Sequence, residues 1–196
     1  NSPFTYNATS INLTVTNNTY VQLNSQMNCG TLDVSGATYK LTQNITTTST
    51  CFTITADNIT LDGQGYNVSG DGETSDYCIL STNTNNININ NITIRSFGRG
   101  INLASNNNSI FSDNQIYDCS NDCILIEASS SNNIFNRIIV NGSGQNLIQI
   151  KSYGVGLQSS SNNTFTNAVL INSSSSDFVI SKIGASNSIN NILINI

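Results

Sequence analysis

The sequence contains no histidine and no tryptophan, and its single proline lies at position 3. The lack of histidine, together with the lack of any Cys-x-x-Cys pair, argues against a zinc site. Since no proline follows position 3, no later strand is obliged to break at one.

Charged residues are also scarce. They make up 9% of the chain, against roughly 25% in typical soluble proteins. Only six residues are Lys or Arg and the formal net charge is −5, so no basic patch can neutralise phosphates and nucleic acid is excluded as a partner. Asn, Ser and Thr supply 84 of the 196 residues and take over the polar surface.

Long apolar runs are missing as well. No run approaches the roughly 20 apolar residues needed to cross a bilayer, so we predict no membrane span in this chain. The chain begins with Asn rather than Met and shows no signal-peptide pattern, which indicates a processed, mature chain. Five cysteines and abundant Asn-x-Ser/Thr sequons favour an extracellular or cell-surface location.

What the sequence does contain is an internal repeat. Six segments align: "ADNITLDG" from residue 56, "INNITIRS" from 89, "FSDNQIYD" from 111, "FNRIIVNG" from 135, "FTNAVLIN" from 165 and "INNILINI" from 189. Their first and sixth positions are apolar in every segment, at intervals of 33, 22, 24, 30 and 24 residues. Further apolar pairs precede the later segments, namely Ile79/Leu80, Ile101/Leu103, Ile124/Ile126, Val155/Leu157 and Phe178/Ile180.

These short segments alternate as strands do and show no helical period between them, so they are not βαβ units. Strands this short can bury their apolar face as a solenoid. Each unit then makes one turn and pairs in parallel with the turns above and below.

Each segment also predicts a tight corner. The apolar positions 1 and 4, for example Ile89 and Ile92, are three residues apart, so two residues must turn between them. Asn adopts the left-handed conformation at low cost, and Asn amides stacked one turn apart can hydrogen-bond as a ladder. We predict a corner ladder of Asn58, Asn91, Asn167 and Asn191. Asp113 and Arg137 interrupt this column, and we predict a salt bridge between them.

The stretch from 29 to 72 resembles the entry segment of right-handed parallel β-helix repeat proteins of the pectate-lyase-like superfamily fold, in particular archaeal secreted and surface proteins. The residues that carry the resemblance are Cys51-Phe52-Thr53-Ile54, followed by Asn58-Ile59-Thr60-Leu61-Asp62-Gly63-Gln64-Gly65. The resemblance implies an all-β, single-stranded right-handed parallel β-helix over residues 29–196, with about six to seven turns. Residues 1–28 would form an N-terminal strand extension.

The same resemblance implies a disulfide between Cys29 and Cys51 that closes the first turn. Cys119 and Cys123 bracket a short bend and are placed to pair locally, which leaves Cys78 as the odd thiol. A stacked pair of Cys51 and Cys78 is the rival arrangement, because each precedes the first strand of a unit.

Acidic residues are too dispersed to predict an enzyme. The best cluster is Asp118, Asp122 and Glu127, with Arg99 nearby, and a loop is the preferred interpretation. Asp71, Glu73 and Asp76 form a second acidic loop that could hold Ca²⁺, although a solvated loop is again preferred. We expect no catalytic residue, no structural metal and no cofactor.

The two ends favour self-association. The chain stops at Ile192, Ile194 and Ile196 in the middle of the pattern, and an open turn exposes unpaired strand edges. Before the repeat, apolar residues again occupy alternate positions, as they do in a β-strand. These residues are Ile11, Leu13, Val15, Val21 and Leu23. In one interpretation these strands fold back over the coil, or the chain is a fragment. The other, slightly preferred, has them pair with the open turn of the next subunit in a head-to-tail homopolymer.

Sequons are no more frequent than the composition predicts. The candidate glycosylation sites are Asn7, Asn12, Asn17, Asn44, Asn67, Asn107, Asn141, Asn162 and Asn172. Asn58 and Asn91 also begin sequons, but we expect them to be bare because their amides would be held in the corner ladder.

The sequence therefore predicts an extracellular structural protein, a surface-layer or pilus-like filament subunit. The alternatives are a carbohydrate-active β-helix, either a polysaccharide lyase or hydrolase, and a non-catalytic glycan-binding adhesin module.

Overall fold

The computed structural model describes residues 12–16, 20–24, 28–152, 160–182 and 191–194. The described residues between 28 and 194 form a parallel β-solenoid of about six turns, with three strands in each full turn. This confirms the predicted all-β solenoid. The right-handed winding remains a prediction.

Each turn passes through three parallel sheets, which we call A, B and C. Sheet A contains β3 (Gly30–Leu32), β6 (Phe52–Ile54), β9 (Tyr77–Thr82), β12 (Arg99–Ala104), β15 (Ile124–Glu127), β18 (Asn146–Ser152) and β21 (Ser176–Lys182). Sheet B contains β4 (Thr38–Lys40), β7 (Thr60–Asp62), β10 (Asn88–Asn90), β13 (Ile110–Ser112), β16 (Ile134–Asn136), β19 (Thr164–Thr166) and β22 (Ile192–Ile194). Sheet C contains β5 (Ile45–Thr46), β8 (Asn67–Ser69), β11 (Thr93–Arg95), β14 (Gln115–Cys119), β17 (Ile139–Ser143) and β20 (Val169–Ser173).

The core is a set of apolar columns that run along the solenoid axis. Since side chains alternate between the faces of a strand, the three-residue strands of sheet B send one side chain inward and two outward. The inward column is Tyr39, Leu61, Ile89, Phe111, Phe135, Phe165 and Leu193. The rings of Phe111, Phe135 and Phe165 stack with centroids 4.5 and 4.6 Å apart.

The predicted alignment is right for the four middle segments and wrong at both ends. Leu61 was expected to match Ile94 but pairs with Ile89, because Leu61 lies in sheet B and not in sheet C. At the other end Leu193 pairs with the inward Phe165, so Ile192 and Ile194 lie in the outward columns.

Loops that lengthen individual turns explain these errors. Leu61 and Ile89 are 28 residues apart and so are Phe165 and Leu193, whereas Ile89 and Phe111 are 22 apart. A fixed period therefore fails at these two longer turns. The turn from Phe135 to Phe165 has 30 residues and was aligned correctly. In the 30-residue turn, Ile148 and Ile150 of β18 supply the inward pair of sheet A, and Val155 and Leu157 lie outside the described residues.

The N-terminal extension contains a hairpin. Strand β1 (Asn12–Thr16) pairs antiparallel with β2 (Tyr20–Asn24), which places Leu13 opposite Leu23 and Val15 opposite Val21. The backbone of β2 lies beside β4, the first strand of sheet B. Ile11 and Ile196 lie outside the described residues. The N-terminal strands are thus paired with each other, next to their own solenoid.

Replacing Phe135 by Ala removes the central ring of the stack from a fully buried site. We expect the free energy of unfolding to fall by about 3–5 kcal/mol. Ile134→Ala, in the same strand but 42% exposed, is the matched control and is expected to change it by no more than about 0.5 kcal/mol. Urea denaturation measures both, and equal losses would contradict the assignment of β16.

Candidate functional sites

The bends that join sheet A to sheet B form a polar corner, here called the amide corner, at residues 55–59, 83–87, 105–109, 128–133, 160–163 and 191. Its outer column is Asp57, Asn85, Asn107, Ser131 and Ser161. Each side chain bonds to the neighbouring turn: the Asn85 and Ser131 backbone N–H groups donate to Asp57 Oδ1 (2.7 Å) and Asn107 Oδ1 (3.0 Å). Asn107 Nδ2 donates to Asn85 Oδ1 at 3.3 Å.

An inner column of the amide corner is buried. Ser109 Oγ accepts from the Ile87 N–H, Asn133 Oδ1 from the Ser109 N–H, and Asn163 Oδ1 from the Asn133 N–H, at 3.0, 3.0 and 3.1 Å. Asn191 Oδ1 continues the column by accepting from the Asn163 N–H at 2.9 Å. Backbone donors that a tight bend would leave unpaired inside the protein are therefore satisfied by the next turn.

The amide corner also holds left-handed residues. Asn58, Asn86, Asn108, Asn132 and Asn162 have φ between 55° and 60°. The amides of this column bond along the axis, with Asn86 Nδ2 donating to Asn58 Oδ1 and Asn162 Nδ2 to Asn132 Oδ1, both at 3.2 Å.

The predicted ladder of Asn58, Asn91, Asn167 and Asn191 is wrong as assigned, because its members lie in three columns and none bonds to another member. Asn58 and Asn191 belong to two columns of the amide corner. Asn91 and Asn167 lie at the two-residue corner between sheets B and C, where φ is 54° and 52°. The reasons are the pairing of Leu61 with Ile89, which displaces the segment from 56, and that of Leu193 with Phe165, which displaces the segment from 189.

The two-residue corner confirms the predicted salt bridge. Asp113 and Arg137 are left-handed there, with φ of 58° and 52°, and form a two-point salt bridge at 2.6 Å for both N–O pairs. Both side chains are exposed, so the pair adds little stability. The hydrogen bonds from Arg137 hold the pKa of Asp113 below its usual value. Asn114, buried in the next position, is satisfied by backbone, accepting from the Ile92 N–H and donating to the Ile89 carbonyl.

The outer face of sheet A carries the most polar chemistry. We call it the sheet A polar face and define it by Tyr77, Arg99, Asn102, Asp122, Glu127, Gln149 and Lys151. Arg99 and Asp122 lie in neighbouring turns, each two residues before the paired Ile101 and Ile124. Arg99 Nη1 donates to the Tyr77 hydroxyl at 3.3 Å and the guanidinium lies over its ring.

Asp122 is fully buried on this face. Its Oδ1 accepts from the Asn146 amide at 2.8 Å, and its Oδ2 lies 3.9 Å from Lys151 Nζ. Glu127 lies at the other end of β15, and Asp118 is exposed at a left-handed position before the Cys119–Cys123 bend. Of the predicted cluster, the structure thus brings Asp122 beside Arg99 and leaves the other two acids apart.

Several polar atoms of this face have no hydrogen-bond partner in the described part of the chain. Asn102 lies between two core residues on β12 and therefore points outward, yet it is 4% exposed. Asn102 Oδ1, Asp122 Oδ2, Gln149 Oε1 and Arg99 Nε are buried without a hydrogen bond to any described residue. Such atoms in a native protein call for an explanation, and a ligand is one. The sequence gives only a weak signal for this polar face, namely the polar residues that alternate with Ile and Leu residues in the strands of sheet A.

The second acidic loop does not assemble a metal site. Asp71 Oδ1 accepts from the Glu73 backbone N–H at 3.1 Å, and the Asp76 N–H donates to the Glu73 carbonyl. Within the described ranges no three His, Cys, Asp or Glu side chains form a group that could hold a metal ion.

Four cysteines form the two expected disulfides, Cys29–Cys51 and Cys119–Cys123. Cys78 is a buried free thiol, and burial raises its pKa well above the ordinary value. The disulfides indicate an oxidising compartment. No helix in the described part of the chain is long and apolar enough to cross a membrane.

The sequons differ in whether the amide nitrogen that would carry a sugar is engaged. Asn107, Asn162 and Asn172 donate Nδ2 to a neighbouring turn. In contrast, the side-chain amides of Asn44 and Asn141 accept a hydrogen bond and donate none to the described residues. Asn67 uses its backbone N–H and not its side chain. The side chains of Asn7, Asn12 and Asn17 lie outside the described residues.

Asn58 and Asn91 were expected to be bare because their amides would be occupied. Asn58 Oδ1 accepts from Asn86. Asn91 is exposed and has no side-chain hydrogen bond in the described part of the chain, so the physical reason given for a bare Asn91 is wrong.

No family model matches the chain, and no curated protein matches it.

Replacing Asn133 by Ala tests the inner column of the amide corner. The change removes one bond accepted from the Ser109 N–H and two donated to the Asn106 carbonyl and Asn163 Oδ1, all at 3.0 Å. We expect the free energy of unfolding to fall by about 3 kcal/mol because buried groups lose their partners. Asn90→Ala, on the outward face of β10, is the control. Thermal unfolding measures the stability of both variants, and equal losses would contradict the inner column of hydrogen bonds.

Proposed function

We propose that this protein is an extracellular structural element, a rigid coil that serves in a surface layer or filament. The observation that carries the proposal is the run of side-chain hydrogen bonds along the axis of the amide corner, from Asp57 to Ser161. These bonds link five successive turns in addition to the sheet hydrogen bonds, and the stacked Phe rings and the Cys29–Cys51 disulfide add further links between turns.

The polar surface supports the same role. It consists mainly of neutral amides and hydroxyls that bond to one another, so folding depends little on salt or pH. The two disulfides fit a protein that works outside the cell. Sugars on Asn44, Asn67 and Asn141 would leave the hydrogen bonds of the amide corner intact.

Assembly is the second part of the proposal. Because the three sheets are parallel and in register, another copy that presents the same columns can continue them along the axis. The β1–β2 hairpin lies beside β4 at the N-terminal side of the coil. We propose that this hairpin contacts the neighbouring copy, as a paired unit and not as two separate strands.

Electron microscopy and sedimentation velocity of the purified chain over a range of concentrations test the assembly. We expect fibres or linear oligomers, and expect Val21→Pro to abolish them because proline removes a backbone donor from β2. Val21→Thr keeps a β-branched residue and is the control. Circular dichroism should remain unchanged in both variants. Dispersed monomers at high concentration would contradict the proposal.

A glycan-binding module is the second candidate. It is favoured by the polar atoms of the sheet A polar face that have no hydrogen bond within the described residues, where Arg99 Nε can donate and Asn102 and Gln149 can accept. Tyr77 supplies an aromatic surface beside them. A polyhydroxylated ligand offers both donors and acceptors, and an acidic sugar adds a carboxylate for Arg99 or Lys151.

Binding of an oligogalacturonate, with a neutral cello-oligosaccharide for comparison, tests this candidate. In NMR titrations we expect shifts at the Asn102 and Gln149 amides, and loss of binding in Arg99→Met. Arg95→Met is a matched control, because Arg95 stacks on Tyr117 at 4.1 Å on the outer face of sheet C. Equal binding by both variants would rule out the sheet A polar face.

A further inference from the structure

Four of the five cysteines share one column of sheet A. Gly30 pairs with Phe52 and Phe52 with Ile79, so the residues that precede them, Cys29, Cys51 and Cys78, are stacked in three successive turns. The backbone confirms the stacking: the Gly30 N–H donates to the Cys51 carbonyl at 2.8 Å and the Cys51 N–H to the Tyr77 carbonyl at 2.9 Å.

Cys51 is therefore the middle member of a row of three. It is bonded to Cys29 on one side, and the free Cys78 lies on its other side. Neighbouring strands are about 4.8 Å apart, and disulfides bridge Cα atoms roughly 4.4–6.8 Å apart. Cys51 can thus bond to either neighbour without a change of strand register.

The three cysteine residues differ in burial. Cys51 and Cys78 are buried, whereas Cys29 is half-buried at the first turn. In the bonded state shown by the structure, the free thiol is the least accessible of the three. Burial favours the neutral thiol of Cys78 and raises its pKa, so deprotonation limits its reactivity.

We propose that Cys29, Cys51 and Cys78 form a thiol–disulfide exchange site that moves a free thiol from the interior to the first turn. Cys78 loses its proton, and its thiolate Sγ attacks Cys51 Sγ from the side opposite Cys29. A Cys51–Cys78 bond forms as the Cys29–Cys51 bond breaks. Cys29 leaves as a thiolate and takes up a proton, so no external oxidant or reductant is consumed.

The exchange converts a buried thiol into a modifiable one. Once released, Cys29 is open to alkylation and to mixed-disulfide formation with another disulfide compound. Capture of Cys29 would then hold the Cys51–Cys78 bond in place, because the thiol needed for the reverse reaction is blocked.

Gly100 separates this row from the second disulfide. It occupies the same column between Cys78 and Cys123, since Ile101 pairs with both Ile79 and Ile124. A β-carbon there would meet Ile116 Cγ2 at 2.5 Å and the Cys123 carbonyl at 2.9 Å. Cys78 and Cys123 are two strand spacings apart, about 9.6 Å, which is too far for a direct bond.

The full chain, folded and unreduced, is incubated with iodoacetamide at several pH values, quenched in acid and digested with pepsin for mass spectrometry. We expect alkylation to accumulate at Cys29, together with a Cys51–Cys78 linked peptide in equal amount. Both should form faster as pH rises, because the attacking species is the Cys78 thiolate. Alkylation at Cys78 in the folded chain, or no Cys51–Cys78 peptide, would overturn the proposal.

Two variants make the test specific. Cys78→Ala should abolish alkylation of Cys29, and unchanged alkylation of Cys29 would show that its disulfide opens by another route. The double variant Cys119→Ser with Cys123→Ser is the control and should label as the parent does. If Cys78→Ala fails to fold, the pH dependence of the Cys51–Cys78 peptide in the parent chain decides the question by itself.

Discussion

The structure depends on one constraint: each backbone donor in a turn must find its acceptor in the turn above or below. In the strands the parallel sheets meet this constraint without side chains. At a bend the ladder is interrupted, and buried N–H groups would be left unpaired. The inner column of Ser109, Asn133, Asn163 and Asn191 meets it there with side-chain oxygens.

The unusual composition follows from that constraint. An Asn residue can occupy a left-handed bend, accept a hydrogen bond from one turn and donate one to another. A charged side chain in the same buried place would cost more free energy, because its charge must be removed from water. A chain that uses amides in this way has little need for ion pairs. The bidentate Asp113–Arg137 pair, at positions where neighbouring turns have Asn, is exposed and lies outside the inner column.

The same constraint determines how much the sequence could predict. Ile89, Phe111, Phe135 and Phe165 recur with the core period, so the solenoid and its middle turns were predictable. Asn58 and Asn191 were placed at the wrong corner, because the longer turns before Ile89 and Leu193 change the register and nothing local marks the change.

The candidate sites were less predictable because they depend on neighbours two or three turns away. Asp122 and Arg99 were identified as a possible pair, but the burial of Asn102 between two core residues had no counterpart in the repeat pattern. The stacking of Cys51 on both Cys29 and Cys78 was visible as two rival pairings. The register shows that the two pairings are adjacent positions of one column.

The inner column is tested most directly by hydrogen exchange of side-chain amides, followed by NMR in the folded chain. The Nδ2 protons of Asn133 and Asn163, which donate to buried oxygens, should exchange far more slowly than those of the outward Asn88 and Asn90. Uniform, rapid exchange at all four residues would contradict the account, because it would mean that the amides do not hold successive turns together.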